Sequence, residues 1–214
     1  MAITTYALLQ TAVANWLDRD DLTDRIPEFI ALCEADMNRK LRVDQMLARD
    51  TASVNAEYAA VPTDFLEAQS LTMTLSGTTV QLDAAPPEVI ENYAQQGQTG
   101  WPRFYSLVGD EFRFYPVPET TYTALLTYFE KIPALTSANT SNWVLASHPD
   151  AYLYGTLLQS APFLRDAEAM SIYSAGYQAA LDGIMAARKT TVGRLRTEVA
   201  ALARGSRYDI NRDF

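Results

Sequence analysis

The chain contains few residues whose chemistry could support catalysis. It has one histidine, His148, and one cysteine, Cys33. A histidine base or a cysteine nucleophile works only when further side chains hold and activate it. The signatures of a serine hydrolase, a P-loop and a dinucleotide-binding turn are all missing from the sequence. We therefore predict a protein that is not an enzyme and that has no catalytic residues, no cofactor and no bound metal.

Both residues also have a structural interpretation. His148 precedes Pro149 at a predicted helix start, where it would act as a local cap or packing residue. Cys33 lies on the apolar side of a predicted helix, where a free cysteine behaves as a small buried hydrophobe. A single cysteine cannot form a disulfide within the chain, so we expect the protein to form in a reducing cytoplasm.

Two other groups of residues could be mistaken for binding sites. The first consists of four aspartates: Asp18, Asp20, Asp21 and Asp24. A calcium-binding EF-hand loop opening at Asp18 would need glycine and glutamate where Thr23 and Phe29 stand, so we predict helix capping and a solvated turn.

The second group consists of aromatic residues interleaved with two arginines: Trp101, Arg103, Phe104, Tyr105, Phe112, Arg113, Phe114, Tyr115, Tyr122 and Tyr128. With so few cations among them we expect mainly sheet core, and the alternatives are an exposed intersubunit surface or single-strand binding.

The formal charge of −9 is unevenly distributed. From Arg188 onward there are seven basic and three acidic residues, so this segment carries +4 and the residues before it carry −13. Nucleic acid binding depends on Lys and Arg that neutralise phosphates, and the acidic body therefore argues against wrapping of nucleic acid. The sequence has no run of about 18 apolar residues and no signal-peptide pattern, so we expect neither a membrane span nor conventional secretion.

Apolar residues recur at steps of three and four in the first and last parts of the chain, which predicts helices. We expect a helix over residues 5–17 and a second over 23–42, packed as an αα-hairpin. A further helix begins at Pro149. The last helix has a seam of alternating four- and three-residue steps from Leu181 to Leu202, with a break expected near Gly193.

The middle of the chain changes to a period of two, which predicts strands. Residues 70–76 and 120–130 alternate between apolar and polar side chains. The segments 104–108 and 111–115 flank Gly109-Asp110, which suits a tight hairpin because glycine accepts a positive φ. These segments together predict a small antiparallel β unit.

The expected fold class is therefore α+β: a mainly α-helical bundle with an inserted small antiparallel β unit and an extended C-terminal helix and tail. We expect a discontinuous bundle from residues 1–62 and 132–187, a β unit at 63–131, and a basic C-terminal helix and tail at 188–214. The tail contains apolar residues that could anchor in a partner's groove, although its cations could simply complement a helix dipole. The candidate partner-binding residues are Arg188, Arg194, Arg196, Arg204, Arg207, Tyr208, Ile210, Arg212 and Phe214.

Eight short segments carry a family resemblance through their joint order. They are Thr4–Gln10, Trp16–Leu22, Ile26–Ile30, Asn38–Arg42, Val61–Leu66, Tyr128–Leu135, Asn142–Leu145 and His148–Gly155. In this order the chain, from residue 4 to about 185, resembles the head-to-tail adaptor proteins of tailed bacteriophages and related gene transfer agents. None of the segments is a catalytic signature.

The resemblance implies a structural adaptor that forms a dodecameric homo-oligomeric ring at the head-to-tail junction of the virion and assembles in the host cytoplasm. It implies that the C-terminal segment docks on the portal protein and that the ring offers a platform to tail or further connector proteins. Genomic DNA would pass through the lumen without specific binding, which agrees with the acidic body because like charges repel. The alternatives are a tail-tube or other virion structural protein, and a virion-associated hydrolase or nuclease.

Overall fold

The computed structural model describes residues 2–19, 21–95 and 97–205, and of residues 188–205 it describes the backbone alone. The elements of this part follow in the order α1 (Tyr6–Leu17), α2 (Ile26–Lys40), a 3₁₀ turn (Asp44–Met46), β1 (Leu47–Val54), β2 (Tyr58–Ala60), β3 (Phe65–Leu75), β4 (Thr78–Gln81), β5 (Asp83–Ala84), α3 (Pro87–Ala94), β6 (Thr99–Gly100), β7 (Phe104–Val108), β8 (Glu111–Tyr115), β9 (Val117–Pro118), β10 (Tyr122–Glu130), α4 (Trp143–Ser147), α5 (Pro149–Leu164) and α6 (Ala167–Gly205). The chain divides into two compact units. One contains the residues up to Asp44 and those from Ile132 onward, and the other contains Gln45–Lys131.

Identifiable residues set the helix ends of the first unit. Thr5 caps α1, because its side-chain oxygen accepts a hydrogen bond from the N–H of Leu8 at 3.4 Å. Asp18 ends that helix in the left-handed conformation. Asn142 caps α4 through the N–H of Leu145 at 2.9 Å. Prolines stand in the first turns of α2 and α5, where the missing N–H costs no intrahelical hydrogen bond. The helices predicted at 5–17, 23–42 and from Pro149 are confirmed, with shifts of a few residues at their ends.

Helix α5 packs against both α2 and α6 in this unit. Gly155 allows their close approach. A Cβ atom at this position would lie 2.9 Å from Cε2 of Tyr177 and would overlap Sγ of Cys33. Both neighbours are buried. The absence of a side chain at Gly155 therefore determines how closely α5 meets its two neighbours.

The strands of the second unit form three sheets in the described residues. The first has the order β1-β10-β3-β4 and is antiparallel throughout. The second has the order β2-β8-β7-β5, in which β5 and β7 are parallel and the other pairs antiparallel. The third is the parallel pair β6-β9. Gly109, at a φ of 63°, lies in the tight turn between β7 and β8, so the predicted hairpin is confirmed.

The two four-stranded sheets share one apolar core. The first sheet contributes Leu71, Met73 and Tyr122, and the second contributes Tyr105, Phe112 and Phe114, among others. Because side chains alternate along a strand, the opposite face of the first sheet carries polar residues. These include Thr51, Thr72, Thr74, Thr79 and Thr127.

The expected fold class, a mainly helical bundle with a small β unit, is wrong. The described residues contain three sheets beside the helices, and the second unit is rich in strand. The sequence patterns missed β1 and β2. The core-facing side chains of β1 are largely alanines, Ala48 and Ala52, which do not produce a visible alternation of large apolar and polar residues. Eight residue pairs with β10 hold β1 in the sheet, so tertiary pairing and not local propensity makes this segment a strand.

The break expected near Gly193 is also wrong. Helix α6 continues through this position and ends at Gly205. Glycine lowers helix stability by about 1 kcal/mol relative to alanine, which is too little by itself to end a helix of this length.

Candidate functional site

His148 lies at the junction of two helices. Its N–H donates to the carbonyl of Val144 at 2.6 Å, and its own carbonyl accepts from the N–H of Ala151 at 3.1 Å. The imidazole makes no capping hydrogen bond to α5. The predicted cap position is thus confirmed, but the backbone of His148 and not its side chain bonds to the helices.

Cys33 is fully buried on α2 against Gly155. Burial, and next the charge of Glu34, raise the pKa of its thiol well above the usual range. A thiol with a raised pKa forms little of the reactive thiolate. The prediction that Cys33 is a small buried hydrophobe is confirmed.

The aspartates after α1 form a helix end and a surface turn. Asp18 adopts the left-handed backbone conformation at the end of α1, and its N–H donates to the carbonyl of Ala14. Asp21 pairs with Arg19 at 2.6 Å in an exposed ion pair, and Asp20 lies outside the described residues. Across the part of the chain that the structure describes, no three His, Cys, Asp or Glu side chains group closely enough to hold a metal ion.

Most of the aromatic set belongs to the core of the β unit, as expected. Six of its members are buried: Tyr105, Phe112, Phe114, Tyr115, Tyr122 and Tyr128. Arg113 bonds to two carboxylates, with its Nε 2.7 Å from Glu57 and its Nη1 in contact with Glu91. A base-stacking platform needs exposed rings beside several free cations, whereas most of these rings are buried and Arg113 is paired with carboxylates.

A buried polar junction in the helical unit was not predicted from the sequence. Oε1 of Glu34 on α2 accepts hydrogen bonds from the hydroxyl of Tyr152 on α5, at 3.0 Å, and from the N–H of Leu135, at 2.8 Å. Asn142 donates to the same hydroxyl at 2.6 Å and to the carbonyl of Pro133 at 2.8 Å. These bonds fix the loop before α4 to both helices. In the sequence, a glutamate next to the apolar residues of α2 could have indicated this junction.

A second polar junction connects α2 with α6. Asp36 accepts a hydrogen bond from the hydroxyl of Tyr177 at 3.0 Å and pairs with Lys40 at 2.7 Å and Arg39 at 3.2 Å. Burial alone would raise the pKa of Asp36, but the hydrogen bonds from Lys40 and Tyr177 outweigh it and hold the pKa below its usual value. The arrangement is structural, since its charges are paired within the unit.

Large apolar side chains remain exposed on the helical unit. Phe163, near the end of α5, is 57% exposed, and Ile172, near the start of α6, is 62% exposed. Met170 on α6, Leu32 on α2 and Trp16 on α1 are also about half exposed. Single exposed apolar residues are common, whereas a cluster of them on one surface is typical of a contact with another protein.

A protein-family model described as SU10 adaptor protein matches residues 4–201. The chain belongs to this family. The resemblance to phage head-to-tail adaptor proteins seen in the sequence is thereby confirmed. No curated protein matches the chain.

As an SU10 adaptor protein, the chain is a phage adaptor and a structural component of the virion. Adaptors associate with other phage structural proteins, so its functional surfaces are protein contacts. Among the helices of the described residues, none is both long and apolar enough to cross a membrane.

The structure describes no side chain of the partner-binding residues predicted for this adaptor. Arg188, Arg194, Arg196 and Arg204 lie in helix α6, of which the structure describes only the backbone at these positions. The remaining predicted residues, Arg207, Tyr208, Ile210, Arg212 and Phe214, lie outside the described residues altogether. Their role in binding stays a prediction.

Proposed function

We propose that the chain forms a closed ring at the head-to-tail junction of a tailed phage, docks on the portal protein and provides the platform for tail attachment, while the genome passes through the lumen. The observation that carries this proposal is the family match over residues 4–201. An adaptor at such a junction must bind its own copies and at least two kinds of neighbour. A dodecameric ring would match a portal of the same symmetry.

The exposed apolar residues of the helical unit support the proposal. Phe163, Met170 and Ile172 lie within ten residues of one another, around the turn between α5 and α6. Leaving such side chains about half exposed forgoes roughly 1 kcal/mol each relative to full burial. Contact with a neighbouring copy or another virion protein would bury them.

The separation of charge also supports the proposal. The residues before Arg188 carry −13, which repels the phosphates of a passing genome. The segment from Arg188 onward carries +4 together with Tyr208, Ile210 and Phe214. A cationic segment with apolar residues at intervals is suited to binding an acidic or apolar groove of a partner protein. We assign this segment to the portal contact.

Co-sedimentation with the portal protein of the same virus tests the assignment. A chain ending at Gly205 should lose portal binding while its thermal unfolding stays unchanged. A variant carrying Tyr208→Ser, Ile210→Ser and Phe214→Ser should bind more weakly at every salt concentration. A matched variant carrying Arg207→Ser and Arg212→Ser should bind more weakly at low salt only, because salt screens exposed charges. Undiminished binding by the chain ending at Gly205 would contradict the assignment, and binding to a tail component instead of the portal would favour a tail protein.

A further inference from the structure

The first sheet of the β unit has two open edges. In its order β1-β10-β3-β4, the outermost strands are β1 and β4. Strand β1 pairs with β10 on one side, and β4 pairs with β3 on one side. Among the described residues, no strand pairs with the other side of either. An open edge presents a row of unpaired N–H and C=O groups, which is a template for adding a further strand.

The edge of β1 is long and regular. All eight of its residues pair with β10 without a bulge, and the strand contains no proline. The N–H of Thr51 donates at 2.8 Å to the carboxylate of the adjacent Asp50. This bond indicates that the N–H points away from β10. Because backbone groups alternate along a strand, the N–H groups of Arg49 and Ser53 point the same way. Asp50 thus covers the middle donor of an edge that is otherwise open.

The two edges run in opposite directions. Each successive pair in the first sheet is antiparallel, so β1 and β4 are antiparallel to each other. Copies related by rotation about an axis along the strands keep their strand directions. Strand β4 of one copy would then run antiparallel to β1 of the next. Such a contact joins two different surfaces and closes into a ring when the rotation closes.

A carboxylate on β1 and a guanidinium in the cleft beside β4 have complementary charges on the core-facing side of the first sheet. Asp50 lies opposite the buried Leu126, which places it on the core-facing side of β1. Arg103 lines an open cleft of about 450 Å³ together with Val80, and Val80 lies opposite the buried Met73 on the core-facing side of β4. Within the described residues, neither the carboxylate of Asp50 nor the guanidinium of Arg103 forms an ion pair. The β1 edge therefore offers an unpaired carboxylate, and the cleft beside β4, which Asp83 also lines, offers an unpaired guanidinium.

We infer that β4 of one copy pairs with β1 of the next, so that the first sheets of successive copies join into one continuous antiparallel sheet around the ring. Asp50 then releases the N–H of Thr51 to the neighbouring strand and pairs with the neighbouring copy's Arg103. This inference rests on the proposed ring and names the surface that closes it. In the unassembled chain, the bond from Thr51 to Asp50 covers the edge and disfavours premature pairing.

Disulfide cross-linking of the assembled full chain tests the contact. Thr51 and Thr79 lie on the outer face of the two edges, and opposed residues in an antiparallel pair have Cα atoms about 4.5–5.5 Å apart, within disulfide range. A chain with Thr51→Cys and Thr79→Cys, oxidised on the portal complex, should give a ladder of linked multimers. Moving the first cysteine to Arg49 or Ser53 covers the neighbouring registers on the same face. The native Cys33 is fully buried and does not compete.

The single-cysteine variants are the matched controls. Each should remain a single chain on a non-reducing gel, because β1 meets β4 and not another β1. Dimers from Thr51→Cys alone would overturn the inference in favour of a two-fold β1 contact. A ring of full mass with no ladder in any of the three registers would also overturn it while leaving the proposed function intact. Failure to form any ring with the portal would instead remove the proposed function.

A charge exchange gives an independent readout. Asp50→Arg and Arg103→Asp should each raise the concentration needed for half-maximal assembly by about fivefold. The double variant should return it towards the wild-type value. Glu119→Arg, an exposed acidic position outside both strands, controls for net charge. Equal effects of Asp50→Arg and Glu119→Arg, with no recovery in the double variant, would contradict the contact.

Discussion

The hydroxyl of Tyr152 donates a hydrogen bond of 3.0 Å to the carboxylate of Glu34, which lies 118 residues earlier in the chain. The same carboxylate oxygen accepts the N–H of Leu135 at 2.8 Å. Glu34 is buried, and burial raises its pKa above the usual value. One acidic side chain therefore connects α2, α5 and the loop before α4.

Replacing Glu34 with alanine should lower the free energy of unfolding by about 1–3 kcal/mol for each buried donor that loses its acceptor. Glu34→Gln should cost much less, because its amide oxygen can occupy the position of Oε1 and accept both hydrogen bonds. Urea unfolding followed by circular dichroism measures both variants. Equal losses in the two variants would show that the charge of Glu34, and not its acceptor geometry, matters.

Glu34 and Asp36 should affect the pH dependence of stability in opposite directions. The pKa of Glu34 is raised on folding, so its favourable contribution is full below the unfolded-state pKa and is lost as pH rises through the folded-state pKa. The pKa of Asp36 is lowered, so its contribution is present above its unfolded-state pKa of about 3.9 and is lost as pH falls through the folded-state value.

Unfolding free energies of two variants measure these effects. Relative to Glu34→Gln, the wild-type chain should gain stability as the pH falls towards the unfolded-state pKa of a glutamate, about 4.3. Relative to Asp36→Asn, it should lose stability as the pH falls below about 4. Parallel pH profiles for the wild type and both variants would show that neither carboxyl changes its pKa on folding.

Two glycines of the helical unit should respond oppositely to alanine. Gly155→Ala should destabilise the chain by roughly 1–3 kcal/mol, because the new Cβ overlaps Cys33 and crowds Tyr177. Gly183→Ala on α6 meets no atom within 4 Å and should stabilise by up to about 1 kcal/mol through helix propensity. Thermal and urea unfolding compare the two. A neutral Gly155→Ala would mean that α5 can move away from α2 at little cost.

Arg113 should stabilise the β unit, whereas Arg103 should not. Arg113 on β8 is largely buried and bonds to Glu57 and Glu91, so Arg113→Met removes two ion pairs whose carboxylates remain accessible to water, and it should cost about 1 kcal/mol. Arg103 is exposed, and Arg103→Met should change the unfolding free energy by less than about 0.5 kcal/mol. An equal loss in both variants would contradict this assignment of roles.

The elements that the sequence predicted well are those with large apolar side chains at a clear period. The stripe through Phe29, Cys33 and Met37 predicts α2, and Leu71 and Met73 predict β3, because the buried face alone selects these residues. Strand β1 was missed because Ala48 and Ala52 mark its core-facing side only weakly. Its position is determined by β10, more than 60 residues later in the chain, and a local pattern does not contain that information.

The polar junctions were hidden for a related reason. Glu34 and Asp36 look like the polar face of an amphipathic helix, and only the packing of α5 and α6 against α2 brings tyrosine hydroxyls to them. The family, by contrast, could be recognised from short segments in order, since their succession is itself a sequence property. The open edges of β1 and β4 are a property of sheet order and required the structure.

We propose that this adaptor acts as a ring on the portal. Electron microscopy of the full-length chain mixed with the portal protein of the same virus, together with the mass of the complex in solution, tests this proposal. We predict a closed annulus at one end of the portal, with one adaptor copy for each portal subunit. A chain that stays monomeric beside an unchanged portal at saturating concentration would contradict the claim.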